Sequence, residues 1–185
     1  MATALNEKSI YAPIIATVQE TRQITATEKY YKIALDSGKE LGHLPGQFVE
    51  VSILGVGEAP ISISSSPTQK GYFELGVRRV GNVTGAMHNL KAGDKIGIRG
   101  PFGTNFPFEI AKGKDVLFVA GGIGLFPARS FINYVLHNRK DYKNVTILFG
   151  ARTPSDRVFT DELAQWSKRE DIKFFETVDR GDPSW

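Results

Sequence analysis

The sequence predicts a β + α/β chain in two halves, a small antiparallel β-barrel followed by the opening part of a parallel α/β unit. Three observations support this. From Tyr11 to about Arg99, short apolar segments are separated by Gly, Pro and Ser, with a single helix-like interruption. After Lys114 the order becomes strand, glycine turn, helix, strand, helix, strand. Between the two, Gly100-Pro101-Phe102-Gly103 and a Pro- and Lys-containing link mark the change of pattern, which puts the expected boundary between residues 110 and 111. Residues 1–110 then form the barrel and 111–185 the α/β unit.

In the first half the candidate strands are Ala12–Thr21, Tyr30–Leu35, Gln47–Ile53, Ile61–Ser64, Tyr72–Arg79 and Lys95–Arg99. Phe48-Val49-Glu50-Val51-Ser52-Ile53 alternates with a period of two, so one face is core and the other wet. The helical interruption, Thr84–Leu90, follows Gly81-Asn82-Val83 and precedes Lys91-Ala92-Gly93-Asp94, which read as cap and stop. In the second half, Asp115–Ala120 is a short apolar run suited to a strand buried on both faces. Pro127–Asn138 spaces Phe131, Val135 and Leu136 as a helix does; Val145–Phe149 is the next strand. Phe159–Arg169, with Thr160 as a cap, is the second helix, and Ile172–Val178 the third strand.

Composition narrows the function. A chain of 185 residues that is 41% hydrophobic and 23% charged has ordinary globular content. It contains no stretch near the roughly 18 consecutive apolar residues that span a bilayer. Met1–Ser9 lacks the layout of a signal peptide, so the expectation is a cytoplasmic protein without membrane insertion. The net charge is +3, but the basic pairs Arg78-Arg79, Arg139-Lys140 and Lys168-Arg169 are isolated and stand near acids, which argues against nucleic acid as a partner. With no cysteine, and with His43, His88 and His137 dispersed, no metal site is expected in this stretch; redox chemistry here would need an organic cofactor.

The most informative motif is Gly121-Gly122-Ile123-Gly124-Leu125-Phe126-Pro127, which leaves a strand and opens a helix. Glycines allow positive φ and close backbone approach, Pro suits a first helical turn, and free amides at a helix start attract phosphate. Pro127 stands where the third glycine of the common dinucleotide fingerprint would be, so the motif reads as a phosphate-binding turn of a variant kind.

Four segments, in this order, carry a resemblance to the ferredoxin-NADP reductase family over nearly the whole chain: Leu44-Pro45-Gly46-Gln47-Phe48-Val49; Ala59-Pro60-Ile61-Ser62 with Ile63-Ser64-Ser65-Ser66-Pro67; Gly76-Val77-Arg78 running on to Gly81-Asn82-Val83-Thr84; and Gly121–Pro127. The resemblance implies a six-stranded Greek-key barrel for FAD, followed by a Rossmann-like domain for NADH or NADPH. The second segment is Arg-x-Tyr-Ser in that family, for flavin pyrophosphate, ring and reactive nitrogen; here Ala59 and Ile61 replace Arg and Tyr, and Ser62 remains. An aliphatic side chain can still cover the ring, Arg78 can replace the lost charge, and the choice between FAD and FMN stays open.

By the same resemblance, Pro60, Ile61, Ser62 and Ile63 line the flavin ring, with Ser62 beside its reactive nitrogen. Gly76, Val77 and Arg78 run along ring and ribityl chain, and Gly81, Asn82, Val83 and Thr84 receive the pyrophosphate at a helix start. Gly121, Gly122, Ile123, Gly124, Leu125 and Pro127 take the nicotinamide dinucleotide. Arg152, at the end of the second parallel strand, and Asp179 and Arg180, at the end of the third, face its adenosine end. A carboxylate at 179 favours a free 2′-hydroxyl and so NADH, whereas Arg152 favours NADPH.

The implied activity is hydride transfer from nicotinamide to flavin N5 with electrons passed on to a partner redox protein, as in the electron-transfer subunits of the hydrogenase gamma and anaerobic sulfite reductase types, or in a heterodisulfide reductase-like complex. Dihydroorotate dehydrogenase electron-transfer subunits share the Pro-Ile-Ser-Ile look. A dinucleotide domain of this kind takes roughly 110 to 130 residues, and about seventy follow the expected boundary, so the chain reads as part of a longer protein whose remainder carries a [2Fe-2S] cluster. The alternatives are a non-enzymatic flavin-binding docking module and an apo structural subunit.

Overall fold

Alternation of inward apolar and outward polar side chains organises the first half into one antiparallel sheet. In the computed structural model, which describes residues 11–183 and 185, the strands are β1 (Ile14–Gln23), β2 (Glu28–Leu35), β3 (Phe48–Ile53), β4 (Gly57–Ser62), β5 (Phe73–Arg78) and β6 (Lys95–Phe102), in the order β4-β3-β6-β1-β2-β5. The reading of Met1–Ser9 lies outside the described residues. The two end strands approach each other: Ile63 bridges Leu75, and the Ser64 N–H donates to the Glu74 carbonyl at 2.8 Å, which closes the sheet into a barrel. Tyr31, Ile33, Ile63, Phe73, Leu75 and Ile98 fill it with less than 2% exposure. Each contributes on the order of 1.5–3 kcal/mol by leaving water. The short helix α1 (Asn82–His88) plugs one end, with Met87 fully buried and its carbonyl accepting from the Tyr31 hydroxyl at 2.7 Å.

The fourth strand runs Gly57–Ser62, earlier than the 61–64 that the sequence predicts. Pro60 lacks a donor and reads as a strand breaker, but it sits on an edge strand opposite Glu50, where its missing N–H costs no ladder bond. Positive φ at Gly55 and Gly57 makes the hairpin turn that the alternation alone does not reveal.

The second half is β7 (Val116–Gly121), α2 (Leu125–His137), β8 (Val145–Ala151), α3 (Thr160–Trp166) and β9 (Lys173–Val178), a parallel sheet ordered β7-β8-β9. Phe118, Ala120, Ile147 and Phe149 face the helices and join the core of Leu125, Ile132, Val135, Leu163 and Trp166. The opposite sheet face is open. Leu117, Val119 and Phe175 are 62%, 72% and 58% exposed, so the expectation that Asp115–Ala120 is buried on both faces is corrected: no described segment covers the outer face of β7.

The halves are packed against each other. Tyr30 of β2 belongs to the second core, and Phe106 and Phe108, from the link between the sheets, lie against Phe131 and Tyr134 of α2 with ring centroids 5.6 and 5.0 Å apart. Among the described residues no helix is long and apolar enough to cross a membrane, and no group of side chains could hold a metal ion.

Candidate functional site

The glycine turn forms because β7 must end and reverse within three residues. Gly121 is extended, Gly122 has φ of +50°, a position that L side chains rarely adopt, and a single tight turn over Gly122–Gly124 leads into the 13-residue α2. A Cβ built at Gly121, Gly122 or Gly124 would meet nothing within 4 Å. Internal packing therefore does not require these three glycines. They leave a bare backbone surface at the start of a helix, where unpaired amides and the positive end of the dipole favour an anion.

That surface is one wall of a cleft of about 430 Å³. Gly121, Gly122 and Ile123 meet there with Gly150, Ala151 and Arg152 at the end of β8, Asp179 beyond β9, Asp156 in the loop after β8, and Arg78 reaching across from the barrel. The parallel register that pairs Gly121 with Gly150 and Gly150 with Thr177 brings these strand ends level. The Asp179 and Arg180 amides donate to the Ala151 and Arg152 carbonyls at 3.0 and 2.9 Å, fixing the residues just past β9 beside the end of β8. Of the three charged residues expected at these strand ends, Asp179 and Arg152 line the cleft, while Arg180 is exposed and does not. Asp156 was not anticipated. Its carboxylate accepts from the Thr153 hydroxyl at 2.7 Å and lies 3.5 Å from Arg152; the legible signal is an acid four residues after Arg152 in a Pro-containing turn at a strand end.

Arg78 is anchored from below. Its Nε donates to Glu28, a side chain 3% exposed that also accepts from the Thr25 and Thr27 hydroxyls. Burial pushes the Glu28 carboxyl up, but bonds from Thr25, Arg78 and Thr27 outweigh it and hold the group below the usual carboxylate value. Glu28 stays ionised and keeps a 38%-exposed guanidinium turned toward the cleft.

The remaining predicted residues divide. Ser62 is half-buried, and the Ile63–Leu75 bridge carries a register that sets it opposite Gly76, so the second and third segments of the resemblance meet at the barrel seam. Ile61 and Ile63 correct the expectation: at 8% and 0% exposure they belong to the barrel core, because the two-residue alternation turns them inward while exposed Pro60 and half-buried Ser62 point out. Gly76 and Val77 are buried as well. A Cβ on Gly76 would come within 2.5 Å of the Phe126 ring, so the glycine there permits α2 to pack on β5. Gly81 and Asn82 are exposed and Val83 is half-buried at the start of α1. The Thr84 hydroxyl is not on offer to a ligand: it accepts from the Val80 and Gly81 amides at 3.0 and 2.9 Å and donates to the Gly81 carbonyl. Leu125 is fully buried, and Gly124 and Pro127 line a separate apolar recess along β7 with Phe106 and Phe131, so the glycine motif is split between two sides of the turn.

A barrel joined to a parallel α/β unit, with a bare glycine turn, a basic side chain from the barrel and carboxylates at the strand ends around one cleft, is the architecture of FAD- and NAD-binding oxidoreductase domains. Residues 15–106 match the oxidoreductase FAD-binding domain and residues 118–185 the oxidoreductase NAD-binding domain. The chain belongs to the ferredoxin-NADP reductase-like family of FAD- and NAD-binding oxidoreductases. It is 40% identical to the sulfhydrogenase 1 gamma subunit of Pyrococcus furiosus over 95% of this chain and 62% of that protein. It is 37% identical to a probable dihydroorotate dehydrogenase B (NAD(+)) electron transfer subunit of Methanocaldococcus jannaschii, over 85% of this chain and 55% of that one. The chain thus spans a little over half the length of these curated relatives. Among solved structures the fold is shared with the FAD/NAD-binding domain of Vibrio cholerae nitric oxide dioxygenase (TM-score 0.80, 19% identity, 92% of this chain and 76% of that one). The ferredoxin-NADP+ reductase of Plasmodium falciparum has it too (TM-score 0.75, 19% identity, 90% and 70%).

Proposed function

We propose that the chain is the flavin- and nicotinamide-binding part of an electron-transfer subunit that passes electrons between NAD(P)H and a partner redox protein through FAD. The observation that carries this reading is the cleft itself, in which Arg78 of the flavin-domain barrel and Gly121 and Gly122 of the NAD-binding turn line the same space. When bound, the flavin would supply the hydride acceptor and single-electron donor. The protein's part is to bind and orient. Gly121 and Gly122 fit a pyrophosphate because the space a Cβ would fill is open. For the flavin, the barrel offers the free amides at the start of α1, the Arg78 guanidinium and the half-buried Ser62 hydroxyl as an orienting hydrogen bond; Ala59 leaves Arg78 as the charged contact for the pyrophosphate. Asp179 and Asp156 at the adenosine end favour NADH, since two carboxylates repel a 2′-phosphate and Asp156 also draws on Arg152.

The partner is proposed to be a hydrogenase-, sulfite reductase- or heterodisulfide reductase-like protein in the cytoplasm, with a [2Fe-2S] cluster held by protein beyond these residues. A second reading has support in the open face of the three-stranded sheet: exposed Leu117, Val119 and Phe175 favour a flavin module whose nicotinamide site is completed by further protein. Visible absorption of the chain with added FAD, before and after anaerobic NADH, separates them. Flavin bands that bleach support the electron-transfer reading; bands that persist support the module; failure to take up flavin overturns both.

A further inference from the structure

Arg129 lies one turn into α2, about 6 Å along the axis from Leu125 where the helix leaves the glycine turn. Its side chain is 10% exposed and crosses from the α/β unit into the barrel. One Nη donates to the Glu74 carboxylate of β5 at 2.5 Å and to the Ser64 carbonyl at 3.1 Å, and Nε donates to Glu162 of α3. Its guanidinium sits 4.5 Å from the centre of the Phe159 ring. Ser64 and Glu74 are the two sides of the barrel seam, joined by their own backbone bond, and the same seam carries Ser62 and Gly76. The adjacent Ser130 hydroxyl donates to the Ser65 carbonyl at 2.6 Å. One helix thus presents the glycine turn at its start and grips both edges of the flavin-side seam a turn later.

The charged side chains of the cluster are all paired. The Tyr30 hydroxyl donates to Glu74 at 2.9 Å and the Asn133 amide to Glu162 at 2.7 Å. Burial would pull the Arg129 guanidinium down, but Glu162 and Glu74 outweigh it and hold it above its usual value, so the charge is permanent. Buried ion networks of this kind give little net stability against apolar packing of the same volume, but moving one partner away from the others strands a buried charge at a large cost. Apolar contacts such as Phe126 on Gly76 tolerate some slide between the halves, whereas sliding the fork would separate Arg129 from Glu74 and Ser64.

We propose that Arg129 is a positioning residue, fixing the register between the glycine turn and the seam so that a nicotinamide held by the one meets a flavin held by the other. This rests on the electron-transfer reading above. The chain has no cysteine, so spin labels at introduced K39C and K168C, exposed sites on the barrel and beyond α3, report the inter-domain distance in the cofactor-free protein. Arg129→Lys keeps the charge and loses the fork; Glu74→Gln keeps the shape and removes one charge, as a second route should the first variant fold poorly. The expected result is a broadened or shifted label distance. FAD and NADH affinities should stay within about threefold of the parent, and flavin reduction at saturating NADH should fall about 10–100-fold, as misplacement on the ångström scale produces. An unchanged distance distribution in both variants overturns the proposal. So does a loss of rate that merely follows loss of affinity and melting temperature. If NADH fails to reduce the parent protein, the electron-transfer reading falls, and the label distances alone decide whether Arg129 sets the register.

Discussion

Gly76→Ala tests whether β5 and α2 are in the direct contact described. The added Cβ would stand 2.5 to 2.6 Å from three atoms of the Phe126 ring. Carbon atoms rest at about 3.5–4.0 Å, so the ring must retreat by about 1 Å. Phe126 is 3% exposed and packs edge-on to Phe159 with centroids 5.4 Å apart, so it has no free direction. Overpacking of this sort costs roughly 1–3 kcal/mol. For a domain pair of this size that is a fall in melting temperature of roughly 2–12 °C, read from the fluorescence of buried Trp166. Phe126→Ala alone is expected to cost about 3–5 kcal/mol through the cavity it leaves. In that background Gly76→Ala becomes neutral or stabilising by about 0.5 kcal/mol, since alanine outranks glycine in a strand. The double-mutant cycle should therefore show a coupling of about 2 kcal/mol. Gly76→Ala equally destabilising with and without the Phe126 ring would refute the contact; so would a single variant as stable as the parent.

Three further outcomes are expected. Gly122→Ala places a side chain at φ +50° and in the cradle, so it should cost about 1–2 kcal/mol of stability; NADH affinity should fall while FAD affinity, measured by fluorescence quenching, stays unchanged. Asp179→Ser removes a carboxylate from the adenosine end of the cleft, and the ratio of NADPH to NADH turnover should rise; a fixed ratio would move the selectivity to Asp156 or Arg152. Buried His43 donates to the Ser65 carbonyl at 3.0 Å and is held below 6.5 by desolvation, with Lys70 adding to the effect and Ser65 and Glu40 opposing it. A depressed folded value means that stability is full above the unfolded value and is lost as pH falls through the folded one, so the urea midpoint should start to drop as pH falls below about 6.5 and His43→Gln should flatten that drop.

Much of the architecture is written locally. Period-two alternation in Phe48–Ile53, the turn glycines, and the change to strand-glycine-helix after Lys114 each depend on a few neighbouring residues, so the barrel, the α/β unit and the glycine turn between strand and helix are legible without coordinates. The extent of β4 was not, because Pro60 breaks a strand except at an edge, and edges are defined only by sheet order. Nor was the open face of β7, since an apolar run looks the same whether one side or both are covered.

The site shows the same division. The sequence alone named the segments expected to carry the chemistry and put Arg152 and Asp179 at strand ends. Tertiary structure decided what each side chain does there. Ile61 is turned into the core by register with β3, and Gly76 is a glycine because Phe126 arrives from the other half of the chain. Arg78 meets the glycine turn, and Arg129 finds the Glu74 carboxylate, only across the domain interface. Those roles come from the docking of two independently patterned halves, and a pattern read along one chain segment contains no term for what another segment brings against it.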